Sequence, residues 1–235
     1  MDVANQSQKL RYIEHILFNL LGLPYFELIP QKRFFKFYEW RIKLGEYGFV
    51  AWGGEKQHGT ILFDINGTGC GNVLGWEKLA DFLEPLSARL TRVDLAYDDY
   101  EGKIIDYENF RQWYFDGQFN TNGRPPEPSE IGHLTPHKGR TFYVGNRQSV
   151  KMVRGYEKGK QLKQPDSPWF RTEVEFKSGG RILPLDMLIN PTKYFAGAYP
   201  CLAFLSEVQD RIKSRFNPYP QAITKTIKKT IWQGA

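Results

Sequence analysis

Thr91-Arg-Val-Asp-Leu-Ala-Tyr-Asp98 alternates polar and apolar residues along its length. In an extended chain, side chains at i and i+2 point to the same side. Arg92, Asp94, Ala96 and Asp98 therefore share one face, and Val93, Leu95 and Tyr97 share the other. If the apolar side packs on helices, both carboxylates look out from the opposite side of a sheet. An ordinary half-exposed strand has the same pattern, so the neighbouring segments decide what these carboxylates are for.

Working outward, period-two alternation dominates the readable segments. Arg33 to Leu44 and Tyr47 to Trp52 form an expected hairpin turning at Gly45-Glu46. Thr60 to Asn66 is another strand, closed by Gly67-Thr-Gly-Cys-Gly71. That run lacks the Gly-Lys-Ser/Thr ending of a phosphate loop and reads as a strand-to-helix turn. Leu79, Phe82, Leu83 and Leu86 recur at helical spacing over Trp76 to Leu90, interrupted by Pro85. Asn109 to Phe115 is a short helix that Gly117 ends. Residues 117–138 have the Gly, Pro, Asn and Ser content of a surface loop. Beyond it, Arg140 to Val144, Val150 to Lys158 and Pro168 to Phe176 read as strands, followed by helical patterns over Leu185 to Ile189 and Tyr199 to Lys213. The expected class is α+β, with a largely antiparallel central sheet flanked by helices. Two related halves, 30–116 and 139–215, would share that sheet within one domain over 1–215, leaving 216–235 as a basic tail.

The chain has 235 residues, 41% of them hydrophobic and 15% aromatic, enough for a folded core. No run of about 18 uncharged apolar residues occurs, and the opening residues do not have the pattern of a secretory signal. A soluble cytoplasmic protein is expected, with no membrane partner. Cys70 and Cys201 form no CxxC pair and are expected as thiols, which leaves out a zinc ribbon or a disulfide framework. The formal net charge is +6, and its distribution says more than its size. Residues 138–163 contribute +7 and residues 211–235 contribute +6, so the rest of the chain sums to −7. Clustered positive charge on an otherwise acidic chain is the footprint of a phosphate-backbone partner; a solvated surface is the plain alternative.

Two more segments put polar groups in register. Phe170-Arg-Thr-Glu-Val-Glu-Phe176 aligns Arg171, Glu173 and Glu175. Glutamates at i and i+2 repel unless a cation lies between them. A divalent ion with oxygen ligands, Mg²⁺ or Mn²⁺, would supply it, and so would pairing with Arg171 or Arg92. In Ser149 to Lys160, Arg154, Tyr156, Lys158 and Lys160 fall in register. A tyrosine among cations has its phenolate stabilised, and the same cations can hold a scissile phosphate. Tyr156 is one of 13 tyrosines, most of which must pack or line the surface.

The ordered set of Thr91 to Asp98, Gly139-Arg-Thr-Phe-Tyr-Val-Gly-Asn-Arg-Gln-Ser149, Arg154-Gly-Tyr-Glu-Lys158 and Arg171-Thr-Glu-Val-Glu175 resembles the replication-initiation factor family. That family takes in initiators of rolling-circle plasmids and of filamentous phages, and relaxases of some conjugative elements. The resemblance covers roughly residues 30–215, and the order of the four motifs makes it specific. It implies a nucleophilic tyrosine at Tyr156 with Lys158 beside it, and a metal held by Asp94, Glu173 and Glu175. Arg147, Lys151, Arg154, Lys160 and Arg171 are the expected DNA contacts. The implied function is nicking and rejoining of a DNA strand, through a 5′-phosphotyrosine and a free 3′-hydroxyl, at the start of rolling-circle replication in a phage or related element. The implied partners are single-stranded or locally melted origin DNA, with a host helicase and polymerase. Gly155 and Thr172 depart from the commoner plasmid pattern, where larger residues stand, but neither change removes a reactive group. None of His15, His58, His133 and His137 forms the His-apolar-His metal motif of the other large nickase superfamily, so a carboxylate site is the expected one. The rival readings are a non-catalytic DNA-binding regulator of the same fold and a conjugative relaxase.

Overall fold

The computed structural model describes residues 3–121, 123–132 and 134–212. The chain divides into two compact units, residues 1–88 and 89–235. The segment expected as a basic tail, 216–235, and His133 lie outside the described residues.

In the first unit, helix α1 (Val3–Glu14) continues into a π-helical turn over His15–Leu20. Strands β1 (Gln31–Phe35), β2 (Tyr38–Lys43), β3 (Gly48–Trp52) and β4 (Ile61–Ile65) pair antiparallel in chain order. The alternation over Arg33 to Leu44, expected as one strand, hides a reversal. The chain turns at Lys36-Phe37, both with positive φ (46° and 72°), the sign that tight hairpin turns favour. Neither residue is the Gly or Asn that normally announces such a turn, so the sequence carried no signal. The turn expected at Gly45-Glu46 does join β2 to β3. The glycine run forms one helical turn, α2 (Gly67–Gly71), whose N-terminus is capped by the Asn66 side chain. A side chain on Gly69 would drive its Cβ to 2.4 Å from the Tyr47 carbonyl oxygen, so that turn needs a glycine. Helix α3 (Trp76–Leu83) stops short of the expected Leu90 and gives way to a 3₁₀ turn over Glu84–Leu86, because Pro85 has no N–H to continue the ladder.

The second unit carries the site. Strand β5 (Arg92–Asp99) is followed by α4 (Tyr107–Phe115), whose first turn is closed by a reciprocal capping box between Asp106 and Asn109. Next come β6 (Pro128–Ile131), β7 (Thr141–Val144), β8 (Lys151–Glu157), α5 (Lys158–Gln161), β9 (Phe170–Lys177) and α6 (Pro191–Ala196). The sheet is antiparallel throughout, in the order β5-β9-β8-β7-β6. The fold class is thus α+β and antiparallel as expected, but with two sheets rather than one shared sheet. The division between units falls before β5, because β5 pairs with β9 along its whole length. Strand β6 lies inside the stretch expected to be a loop. Pro128 opens it on the sheet edge, where a missing ladder donor costs little. The helix expected over Tyr199 to Lys213 shrinks to a 3₁₀ segment, Pro200–Leu205, and Ser206 returns to extended backbone. No helix of the described residues is long and apolar enough to cross a membrane.

Alternation splits the second sheet into two faces. Leu95, Phe142, Val153, Val174 and Phe176 face the core with Phe110 of α4 and Phe195 of α6. Burying these seven side chains at about 25 cal/mol per Å² is the main term holding the helices on that face. Gly155 and Thr172 stand directly opposite each other on this side. A Cβ on Gly155 would lie 2.7 Å from Phe170 and 2.8 Å from Phe110, which explains why no larger residue precedes the tyrosine. Gly155→Ala should destabilise the protein by about 1–3 kcal/mol through overpacking, read from the shift in urea midpoint at unchanged slope.

Candidate active site

The polar face of the second sheet is built from cross-strand rows. Asp94 stands opposite Glu175; Ala96, Glu173, Arg154 and Tyr143 form the next row; Asp98, Arg171, Tyr156 and Thr141 form the row after it. The three segments singled out in the sequence therefore lie side by side on β5, β9 and β8.

Tyr156 is buried, and its hydroxyl donates to Glu173 Oε1 at 2.5 Å. The other Glu173 oxygen accepts from Arg154, whose Nε lies at 2.7 Å. Arg171, beside Tyr156, makes a bidentate pair with Asp98 at 2.7 and 2.6 Å, and the same Asp98 accepts from the Trp169 indole at 2.6 Å. Lys158 is not on the strand, as its register had suggested: β8 ends at Glu157 and Lys158 opens α5. Its ammonium still lies 5.7 Å from the centre of the Tyr156 ring and donates to Gln161 at 3.0 Å. Tyr156, Lys158, Glu173, Arg154 and Arg171 are thus brought together.

The electrostatics differ from the expectation of a phenolate stabilised by its cations. Burial, the hydrogen bond to Glu173 and the Glu173 charge push the Tyr156 pKa up, and together they outweigh Arg171 and Arg154, which pull it down. The tyrosine is a neutral phenol with a carboxylate already positioned on its proton. Lys158 is shifted down by burial and by repulsion from Arg171, which eases release of its proton.

Asp94 and Glu175 form the far end of the face. Arg92 bridges them, with Nε 2.8 Å from Asp94 Oδ1 and a terminal nitrogen 2.8 Å from Glu175 Oε2, and Lys177 lies 2.6 Å from Glu175 Oε1. Among the described residues, no group of three His, Cys, Asp or Glu could hold a metal ion. Glu173, also expected as a metal ligand, accepts from Tyr156 and Arg154. The Asp94–Glu175 pair does fit a hydrated Mg²⁺ or Mn²⁺, which takes one or two carboxylates and completes its shell with water and substrate phosphate. In this structure Arg92 and Lys177 supply the positive charge that neutralises the pair.

Of the other expected DNA contacts, Arg147 is exposed on the turn between β7 and β8, its carbonyl accepting from Lys177. Lys151 and Lys160 do not belong to this face. Lys160 lies in α5 and pairs with Glu157 at 2.9 Å, a carboxylate that also binds Arg140. Lys151 points to the core side, donates to the Ala198 carbonyl at 2.6 Å and sits 4.0 Å from the centre of the Tyr199 ring. A strand of period two sends odd and even positions to opposite faces, so a basic run read by composition mixes the two. Two residues of the site were not singled out by sequence: Asp98, seen on the face but given no role, and Trp169, whose only signal is its position just before β9.

Burial, and repulsion from Arg181 and Arg211, lower the Lys151 pKa from 10.5 to about 8. Between those values the unfolded chain holds a proton that the folded one has lost, so this group contributes stability that increases as pH rises. Relative to Lys151→Met, the wild type should therefore gain stability from pH 8 toward pH 10, measured by denaturant unfolding at a series of pH values. A flat difference would put the lysine in water.

The chain matches the model of the family described as replication initiation factor over residues 88–226. Among solved structures it is similar to the rolling circle replication initiator protein from Geobacillus stearothermophilus, with a TM-score of 0.63 and 21% identity, over 88% of this chain and 90% of that one. At that identity the likeness is one of fold. No curated protein matches the sequence. The family match spans more than half of the chain and takes in the whole five-stranded sheet with the Tyr156–Glu173 pair, and on that ground the chain belongs to the replication initiation factor family.

Proposed function

We propose that this protein starts rolling-circle replication by nicking and rejoining a DNA strand, with Tyr156 as the nucleophile. The observation that carries the reading is the hydrogen bond from the Tyr156 hydroxyl to Glu173, set among Arg154, Arg171 and Lys158. Tyr156 Oη attacks the phosphorus of a single-stranded or locally melted origin while Glu173 takes the phenolic proton. The phosphorus–3′-oxygen bond breaks, Lys158 supplies a proton to the departing oxygen, and a 5′-phosphotyrosine and a free 3′-hydroxyl result. Running the same step backwards with an incoming 3′-hydroxyl closes the displaced strand. Arg154 and Arg171 hold the phosphate and counter the charge that develops on it, and Arg147 holds backbone farther along. Asp94 and Glu175 would hold Mg²⁺ or Mn²⁺, which when bound adds charge neutralisation to the phosphate. The 3′-hydroxyl primes a host polymerase, with a helicase opening the duplex, in the cytoplasm of a bacterium carrying the phage or plasmid.

Incubation with an origin oligonucleotide and Mn²⁺ should give a covalent protein–DNA adduct that Tyr156→Phe abolishes. An adduct surviving that change would overturn the assignment. Glu173→Gln should slow adduct formation by about 10²- to 10⁴-fold, the usual worth of a positioned base, with binding of the oligonucleotide changed far less. If the chain only bound DNA, both variants would bind like the wild type and no adduct would form with any of them.

A further inference from the structure

We propose that Tyr100 and Trp169 form a stacking platform for one base of single-stranded DNA beside the phosphate that Tyr156 attacks. The proposal rests on the reading of this face as DNA-binding, and its test does not depend on nicking. Tyr100 follows the end of β5 and Trp169 precedes the start of β9, so the antiparallel pairing of Asp99 with Phe170 brings the two rings together. Their centres lie 4.9 Å apart with planes inclined by 38°.

Three features separate this pair from ordinary packing. Tyr100 stays 64% exposed although it touches Trp169, and a ring recruited to the core would be covered. Trp169 is held at both ends: its indole N–H donates to Asp98 at 2.6 Å and its carbonyl accepts from Gly159 N–H at 3.2 Å. It is thus fixed to the Asp98 that fixes Arg171, in the row that holds Tyr156. The third feature is charge. The Arg171 guanidinium lies 5.6 Å from the centre of the Trp169 ring, and Lys158 flanks Tyr156 on the neighbouring strand end. An exposed tyrosine ring set on a half-buried, fixed indole beside cations matches a nucleotide, with phosphate on the cations and base on the rings. The strand must be single, because a paired duplex keeps its bases stacked on one another, whereas unpaired bases stack on aromatic side chains of any sequence context.

The test compares a thymidine homopolymer with an abasic deoxyribose-phosphate oligomer of the same length, each binding to wild type, Tyr100→Ala and Tyr100→Phe by fluorescence anisotropy. Tyr100 is on the surface, so thermal unfolding of the variants should match the wild type. Tyr100→Ala should weaken thymidine binding by roughly 5- to 150-fold, the range for losing one stacked base, and leave abasic binding unchanged. Tyr100→Phe should restore the wild-type preference. Equal weakening toward both oligomers, or none toward either, would overturn the platform. No adduct from the wild type, or one that survives Tyr156→Phe, with the thymidine preference intact, would remove the nicking reading and keep the platform.

Discussion

The hydrogen bond between Tyr156 and Glu173 depends on one register, that of β8 against β9. Arg154 stands opposite Glu173 and Tyr156 opposite Arg171, so the phenol reaches one row over to the carboxylate that Arg154 already holds. Slipping β8 by one residue would send Tyr156 into the phenylalanine core and Gly155 onto the polar face, and slipping β9 would do the same to Glu173 and Thr172. The register is enforced from the other side of the sheet. Phe110 and Phe170 fill the hollow left by Gly155, and no other residue of β8 leaves such a hollow. Site geometry and core packing are therefore one constraint seen from two faces.

The charges of this face are nearly self-compensating. Asp98 is bound by Arg171, Glu173 by Arg154, and Asp94 with Glu175 by Arg92 and Lys177. Under the proposed function, a phosphate would gain these cations only by competing with carboxylates already in place, so geometry would count for more than bulk charge. Hydrogen bonds to charged groups in such a half-buried setting are stronger than in water, and each partner left unpaired is costly. Tyr156 illustrates the balance: two arginines lower its pKa, while burial and one well-placed carboxylate raise it further. The fold keeps the Tyr156 phenol protonated and keeps an acceptor for its proton in contact.

Much of this was legible in the chain. The α+β class, the antiparallel pairing and the two faces of β5, β8 and β9 follow from alternation, and Asp94, Glu173, Glu175, Arg154 and Tyr156 all lie on the face that alternation assigns them. The departures have separate causes. Lys160 was put in register with Tyr156 by extending the strand past Glu157, where α5 begins, and Lys151, counted in the same basic run, is on the opposite face of the strand. The Lys36-Phe37 reversal went unread because its residues have no turn chemistry, and the pairing of β1 with β2 imposes it.

Sequence alone determined which side chains share a face, because the period of a strand is local and each residue's direction is set by its neighbours in the chain. Tertiary structure alone decided which acid meets which base. That choice depends on strand order, on register and on the reach of side chains from segments up to about 70 residues apart, as with Asp98 and Trp169. It turned Glu173 from one of three similar carboxylates into the partner of Tyr156, since only the folded sheet puts a phenol and an arginine on its two oxygens.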